Sequence, residues 1–140
     1  MQILFSKIHP NAVIPEYKTK GAVAFDFSVP ETITLKEGIN YVKTGLRVKI
    51  PDGHGLILAP RSGTYKNFGL RLANSIGIID RDYCGPNDDL IFAYIADREI
   101  TVNAGERIGQ GMVIPIPEMS IMESDWDCDT DRGGFGSTGK

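Results

Sequence analysis

The residues best suited to chemistry lie in the stretch GIIDRDYCG, residues 77–85. Two isoleucines typical of a core, flanked by glycine, lead directly into Asp80, Arg81, Asp82 and Tyr83. Carboxylates and a phenol at the end of a buried strand are side chains that a catalytic or binding site can use. Aspartate and glycine also favour turns for backbone reasons alone. Taken by itself, the stretch therefore predicts a solvated turn. Other parts of the chain must show whether it is a functional site instead.

A second candidate is APRSGTYKNFG, residues 59–69, which follows an apolar run. Pro60 prevents Arg61 from continuing a regular strand ladder. Ser62 and Gly63 can then begin a helical turn. An arginine, a hydroxyl and free backbone N–H groups at a helix start together form a natural phosphate site. For the isolated segment, an ordinary helix N-cap beside a surface arginine is the preferred interpretation.

Two further segments carry polar groups that could join such a site. GERIGQ, residues 105–110, predicts a turn and then a strand that carries Gln110, although a solvated hairpin explains it better in isolation. Asp26 lies among apolar neighbours in GAVAFDFSVP. There, a hydrogen-bonded structural carboxylate explains it at least as well as a functional one. Neither segment identifies a function without the others.

The composition changes after Met122, where the chain becomes polar, rich in glycine and poor in core residues. Such an end is usually disordered, while Trp126 and Phe135 make an arm that docks elsewhere the alternative. The last residues, GFGSTGK, match the spacing of a phosphate-binding loop. That loop requires a following helix, and the sequence stops at Lys140, so we do not expect a triphosphatase of that fold. Backbone N–H groups freed by glycine can still wrap an anion.

Composition excludes several classes of protein. A chain of 140 residues with 41% hydrophobic and 24% charged residues is expected to form one globular domain. No apolar run is long enough for a membrane span and the N-terminus lacks signal-peptide features, so we expect a cytoplasmic protein. A net charge of −3 without a basic block argues against nucleic acid as a partner. The net charge does not exclude a small anionic ligand, because a pocket that binds one needs only a few cationic side chains.

Short strand-like runs separated by glycine and proline dominate the chain. TGLRVKI (44–50) and REITV (98–102) alternate between apolar and polar residues, which predicts half-buried strands. One short helix fits, around residues 62–67. The pattern predicts an all-β barrel or sandwich over residues 1–122, followed by a tail over residues 123–140. Continuous apolar runs predict strands buried on both faces, namely GLILA (55–59), LIFAYI (90–95) and MVIPI (112–116).

Taken together, five segments resemble the motifs of the trimeric deoxyuridine triphosphate nucleotidohydrolases, the dUTPases. They occur in the family's order, from about residue 21 to the C-terminus: AFDF, PRSG, NSIGIIDRDYCG, GERIGQ and RGGFGSTG. The resemblance implies a jelly-roll β-barrel with a flexible, glycine-rich C-terminal arm. It also implies a homotrimer whose sites combine motifs from different subunits, with the arm closing over each site. The implied reaction is dUTP plus water giving dUMP and pyrophosphate with Mg²⁺, which limits uracil in DNA and supplies dUMP.

The resemblance also implies roles for individual residues. Asp80 would orient the attacking water toward the α-phosphorus, and Tyr83 would lie under the deoxyribose and leave no room for a 2′-hydroxyl. Asp26 would stand in the outer shell of the metal, which has no direct protein ligand. The uracil would meet Asn74, Gly77, Ile78 and Ile79. The triphosphate would meet Arg61, Ser62, Gly63 and Gln110. The arm would contribute Arg132, Phe135, Gly136 and Ser137.

Strand geometry adds a constraint to these roles. Residues three apart in a regular strand point to opposite faces, so Asp80 and Tyr83 can share a site only if the chain bends between them. We therefore predict a turn or bulge at Arg81 and Asp82, with Asp82 structural and paired with an arginine. Gly77 and Gly85 would let this hairpin pack closely against the base.

The sequence departs from the family's pattern at several points. Only Gly133 and Gly134 separate the arm's arginine from its phenylalanine, two residues fewer than usual. The stretch CGPNDDL after Tyr83 is longer than usual and predicts a larger hairpin loop. Ala24 stands where glycine is common, and Gly109 where alanine is common.

Two rival functions fit parts of this pattern. A dCTP deaminase shares the fold, but needs a glutamate as proton shuttle and lacks the Asp-x-Asp-Tyr sequence. A non-catalytic nucleotide-binding β-barrel is the rival from another class, although a pure binder gains little from a carboxylate that aims water.

Overall fold

The computed structural model describes residues 1–139, and Lys140 at the end of the glycine-rich tail lies outside the described residues. Within them the chain forms eleven strands and one short helix. No helix in this part of the chain is both long enough and apolar enough to cross a membrane. The elements are β1 (Leu4–Lys7), β2 (Phe25–Ser28), β3 (Ile33–Leu35), β4 (Gly38–Lys43), β5 (Leu46–Lys49), β6 (His54–Ala59), α1 (Thr64–Phe68), β7 (Leu70–Leu72), β8 (Gly77–Ile79), β9 (Ile91–Ala96), β10 (Ile100–Val102) and β11 (Arg107–Pro115).

The strands form an antiparallel β-barrel of jelly-roll type, as predicted. One sheet has the order β2-β11-β6-β8 and a second has the order β4-β9-β7. The pairs β1–β5 and β3–β10 complement them. Strands that are far apart in the sequence, such as β6 and β11, pair with each other, so the site segments come from distant parts of the chain. The helix α1 lies close to the predicted residues 62–67 and ends at Gly69, whose φ of 65° suits glycine.

Aromatic side chains hold the barrel together. Phe27 packs edge-on against Phe25 and Phe92, with ring centroids 5.6 and 5.8 Å apart. Phe92 in turn stacks on Tyr94 at 5.7 Å. Phe25 and Phe27 point into this core, so Asp26 between them must point to the other face of β2. The core thereby fixes the direction of a candidate site residue.

The prediction that three apolar runs are buried on both faces is wrong. In β6, Leu56 and Leu58 are buried while Ile57 is only partly covered, and β9 and β11 likewise have a partly covered face. Each sheet lays one face on the barrel core, so its other face stays more open within a single chain. The alternating run in β5 behaves as predicted, with Leu46 and Val48 inside.

Gly109 occupies a place where a side chain would not fit. A Cβ on Gly109 would collide with the ring of Phe92, and the register of β11 against β2 shifts between Arg107 and Gly109. The ring of Phe92 therefore explains why glycine stands at position 109.

Candidate active site

The chain bends after Asp80, as strand geometry requires. The Tyr83 backbone N–H donates to the Asp80 carbonyl at 3.2 Å, which closes a turn through Arg81 and Asp82. The Asp80 carboxylate is exposed, whereas the Tyr83 ring packs against the core. The turn is therefore confirmed, and it gives the two side chains different surroundings.

Two details of this segment differ from the prediction. Asp82 forms no ion pair among the described residues, because the neighbouring arginine, Arg81, points instead toward Asp52 (3.3 Å) and Glu118 (3.9 Å). The segment is also not a hairpin with the next strand. β8 pairs with β6, whereas β9 pairs with β4 and β7, so residues 80–90 cross from one sheet to the other.

The strand before Asp80 lies at an edge of its sheet. β8 has β6 on one side and no further strand on the other within residues 1–139, so that row of backbone N–H and C=O groups is free. Ile78 is 73% exposed, contrary to the expectation of two core isoleucines, and Ile79 packs partly against the core. A Cβ on Gly77 would lie 3.0 Å from the Cβ of Leu58, so this glycine lets β8 approach β6. Asn74 is exposed in the turn before β8.

A second cluster lies where β6 ends. The Arg61 backbone N–H donates to the Thr64 hydroxyl at 2.9 Å, which fixes the start of α1. The backbone N–H groups of Ser62 and Gly63 have no hydrogen-bond partner within the described part of the chain. A cavity of about 700 Å³ opens here and is lined in part by Arg61, Ser62 and Gln110. Free N–H groups, a hydroxyl and a guanidinium are the donors that bind phosphate oxygens.

Asp26 anchors this cluster. Its Oδ1 accepts from Nε of Arg61 at 2.9 Å and its Oδ2 from Nη1 of Arg107 at 3.0 Å, and its side chain is only 15% exposed. Gln110 lies directly opposite Asp26 on β11 and donates to the Pro60 carbonyl at 2.9 Å. These contacts hold the guanidinium and the amide at one end of the sheet, which supports the structural interpretation of Asp26. Sequence reasoning did not single out Arg107, although it stands in GERIGQ beside Gln110.

Within one chain the two clusters are far apart. The register of β8 on β6 places Asp80 beside Gly55, at the start of β6, whereas Arg61 follows its end. Arg61 lies six positions after Gly55, which corresponds to about 20 Å of extended chain. The cavity beside Asp80 shares no lining residue with the cavity beside Arg61. A single chain therefore does not bring Asp80 to the donor cluster around Arg61.

The arm contacts neither cluster. Residues 123–139 are exposed, and the hydrogen bonds that they form are local, such as the Ser137 N–H to the Gly134 carbonyl at 3.1 Å. Phe135 has a φ of 53° in this turn, and a Cβ on Gly133 would collide with the Ser137 hydroxyl. Arg132, Phe135, Gly136 and Ser137 are thus together, but away from the barrel.

The residues present do not form a metal cage. Among the described residues, no group of three or more His, Cys, Asp or Glu side chains could hold a metal ion. Both oxygens of Asp26 already accept from arginines. This donor set fits a Mg²⁺ ion that arrives on a triphosphate, since such ions usually keep several waters and phosphate ligands.

Two groups near the turn have perturbed pKa values. Burial, followed by the charges of Asp88 and Asp89, raises the pKa of Tyr83 above its usual value. The Tyr83 hydroxyl therefore remains protonated at neutral pH and donates to the Asp89 carbonyl at 2.8 Å. Burial also raises the pKa of Asp89, against the opposing effect of hydrogen bonds from Gly45 and Thr44.

The architecture is that of a β-barrel protein with a cluster of donors, a guanidinium, a hydroxyl and free N–H groups, of the kind that bind anions. A family model described as dUTPase matches residues 10–139, and the chain therefore belongs to the dUTPase family. The family predicted from the five motifs is confirmed.

Curated relatives agree over the full length. The chain is 38% identical over 142 residues to the deoxyuridine 5′-triphosphate nucleotidohydrolase of Helicobacter pylori strain P12, covering 99% of this chain and 97% of the relative. The enzyme of the same name from Wolinella succinogenes is also 38% identical, with 100% and 95% covered.

Solved structures show the same fold. The dUTPase of Streptococcus mutans superposes with a TM-score of 0.75 at 30% identity, covering 83% of this chain and 98% of that one. The dUTPase of Staphylococcus bacteriophage 80alpha, solved with dUpNHpp, gives 0.82 at 24% identity, with 99% and 98% covered.

Proposed function

We propose that the protein hydrolyses dUTP to dUMP and pyrophosphate, limiting uracil incorporation into DNA and supplying dUMP. The observation that carries this proposal is the dUTPase family match over residues 10–139. That range contains both side-chain clusters and the described part of the arm.

Asp80 is the proposed catalytic residue. Its carboxylate accepts a proton from a water molecule and directs the water oxygen at the α-phosphorus. A bond forms between that oxygen and the α-phosphorus, the bond to the bridging oxygen breaks, and pyrophosphate leaves. The carboxylate is exposed at the end of β8, where such a water can reach it.

Arg61, Ser62, Gly63 and Gln110 are the proposed triphosphate-binding residues. The ion pair with Asp26 holds the Arg61 guanidinium in place before the ligand arrives, which lowers the ordering cost of binding. Mg²⁺ would neutralise charge that develops on the phosphate oxygens. Asp26, beside Arg61, is the carboxylate that we propose would contact its water shell.

Uracil selection falls to the free edge of β8. Backbone groups of Gly77, Ile78 and Ile79, with Asn74 beside them, can present donors and acceptors to the base. Cytosine reverses part of the uracil pattern and would leave buried polar groups unpaired, at a cost of about 1–3 kcal/mol each. Tyr83 provides the ring under the deoxyribose, where it excludes a 2′-hydroxyl.

A homotrimer with shared sites is the proposed assembly. The separation of about 20 Å between Asp80 and Arg61 along β6 supports it, because a second copy must then supply the missing cluster. The arm of residues 123–140 would close over the completed site. There Arg132 would meet the γ-phosphate and Phe135 would stack on the uracil, with Gly136 and Ser137 wrapping the anion.

One assay separates this function from its rivals. Purified protein is incubated with Mg²⁺ and either dUTP, dCTP or UTP, and the products are resolved by ion-exchange chromatography. We expect dUMP and pyrophosphate from dUTP, and little product from the other two. Ammonia and dUTP from dCTP would identify a deaminase, and binding without products would identify a non-catalytic module. The Asp80→Asn protein, purified in parallel, controls for contaminating host enzymes.

A further inference from the structure

The loop that follows Tyr83 is fixed to the barrel by one buried carboxylate. Asp89 is only 7% exposed, and its Oδ1 accepts from the backbone N–H of Gly45 at 2.9 Å and from the Thr44 hydroxyl at 3.3 Å. Next to it, the Thr44 N–H donates to the Leu90 carbonyl at 3.0 Å. The end of the loop is therefore locked onto the turn between β4 and β5.

The same residue also holds the tyrosine. The Asp89 carbonyl accepts the Tyr83 hydroxyl at 2.8 Å, and the Tyr83 ring is partly buried against the core. One end of the ring is thus fixed by its own backbone at the turn after Asp80, and the other by a residue six positions later. The position of the ring depends on where Asp89 is held.

We propose that Asp89 is a positioning residue for sugar selection: its carboxylate fixes the loop so that its carbonyl holds the Tyr83 ring where a 2′-hydroxyl collides with it. This inference rests on the proposed function. A ring that rejects a ligand for one extra oxygen must resist small displacements, since pockets that can relax discriminate poorly. Asp89 does not touch the nucleotide in this scheme and acts through Tyr83.

Charge is not essential to this role. Burial opposes the ionised form of Asp89, and hydrogen bonds from Gly45 and Thr44 favour an oxygen acceptor at this place. Asparagine offers the same acceptor without charge. Alanine offers none and leaves two donors without their partner.

The experiment compares kcat/KM for dUTP and for UTP in Asp89→Ala and Asp89→Asn. We expect Asp89→Ala to lower the ratio of kcat/KM for dUTP to kcat/KM for UTP about tenfold, because a displaced Tyr83 ring no longer collides with the 2′-hydroxyl of UTP. Asp89→Asn should stay within about twofold of the unsubstituted protein. Val102→Ala, which truncates a fully buried side chain in β10, controls for loss of stability and should leave the ratio unchanged.

Tyr83→Phe provides an independent test, because it removes only the hydroxyl that Asp89 holds. We expect it to lower the ratio to a similar extent, and the double variant with Asp89→Ala to fall no further, because both changes break one connection. This variant tests the inference even if Asp89→Ala does not fold. An unchanged ratio in Tyr83→Phe, or in a folded Asp89→Ala, overturns the inference while dUTP hydrolysis stands. Absence of dUTP hydrolysis in the unsubstituted protein overturns the proposed function as well.

Discussion

Asp80 combines two properties that a group aiming a water molecule needs. Its carboxylate is free of ion pairs within residues 1–139, and the turn through Arg81 and Asp82 holds its backbone. We expect Asp80→Asn to lower kcat by at least about 100-fold, since the shape survives and the proton acceptor does not. Binding of a non-hydrolysable dUTP analogue, measured by calorimetry, should be largely retained.

Asp82→Asn is the matched control for this prediction, because it removes an exposed carboxylate from the same turn. We expect it to keep near-normal turnover. Parent-level hydrolysis of dUTP by the Asp80→Asn protein would contradict the assigned mechanism.

Gly109 and Phe92 form a pair that can be tested by stability alone. Gly109→Ala places a methyl group less than 3.0 Å from Cε1 of Phe92, and overpacking of this kind costs about 1–3 kcal/mol of unfolding free energy. Phe92→Leu on its own should also destabilise the barrel, because it removes packing against Phe27 and Tyr94.

The two changes should compensate when combined. We expect the double variant to be more stable than the sum of the single effects predicts, as measured by urea unfolding of all four proteins. If the two changes in unfolding free energy were strictly additive, the Phe92 ring would not be the reason for glycine at position 109.

How far the sequence could predict the strands depended on their surroundings. Strands with a clear two-residue alternation, such as β5 and β10, could be read directly. β4 could not, because Tyr41 and Ile39 point outward and blur the alternation. β8 and β9 looked like one hairpin, yet local sequence carries no information about which distant strand each will pair with.

The candidate site shows the same limit. The five motifs named Arg61 and Asp80, and strand geometry alone required the turn after Asp80. The ion pairs of Asp26 depend on β2 and β11 meeting in one register, which connects residues far apart in the sequence. Arg107 and Asp89 were missed for this reason, since neither has a local signature.

The arm offers a test at the level of one segment. Residues 132–139 are exposed and their backbone hydrogen bonds are local, so deletion of residues 132–140 should barely change the melting temperature or the oligomer size. If the arm is a lid, kcat should nevertheless collapse, because water exclusion and the Phe135 stack are lost together.

Limited proteolysis gives a second measurement on the intact protein. A non-hydrolysable dUTP analogue with Mg²⁺ should protect the arm from cleavage, and UTP should protect it less. Full activity of the truncated protein would show that the tail has no role in closure.

The proposed sharing of each site between subunits can be tested with two variants, one that lacks the Asp80 carboxylate and one that lacks the arm. The Asp80→Asn protein and the arm-deleted protein are each expected to be nearly inactive. If the protein is a homotrimer as proposed, the two variants, co-expressed in equal amounts, should assemble at random into mixed trimers. If Asp80 and the arm of each site come from different subunits, about a quarter of the sites will contain both intact parts.

Steady-state rates of the purified mixtures provide the readout, with each variant alone as its control. Recovered activity near a quarter of the rate of the unsubstituted protein would support sites in which Asp80 and the arm come from different subunits. No recovery, in trimers shown to be mixed by mass spectrometry, would mean that both parts come from one subunit.

The distance between Asp80 and Arg61 within one chain also bears on how the enzyme starts to work after synthesis. If the sites are shared between subunits as proposed, a newly made chain carries parts of several sites and completes none of them. At low expression, the rate of dUTP removal would then rise more steeply than the amount of protein, because encounters between chains create each centre. A dilution series of the pure protein should show the same behaviour, with specific activity falling once the subunits separate.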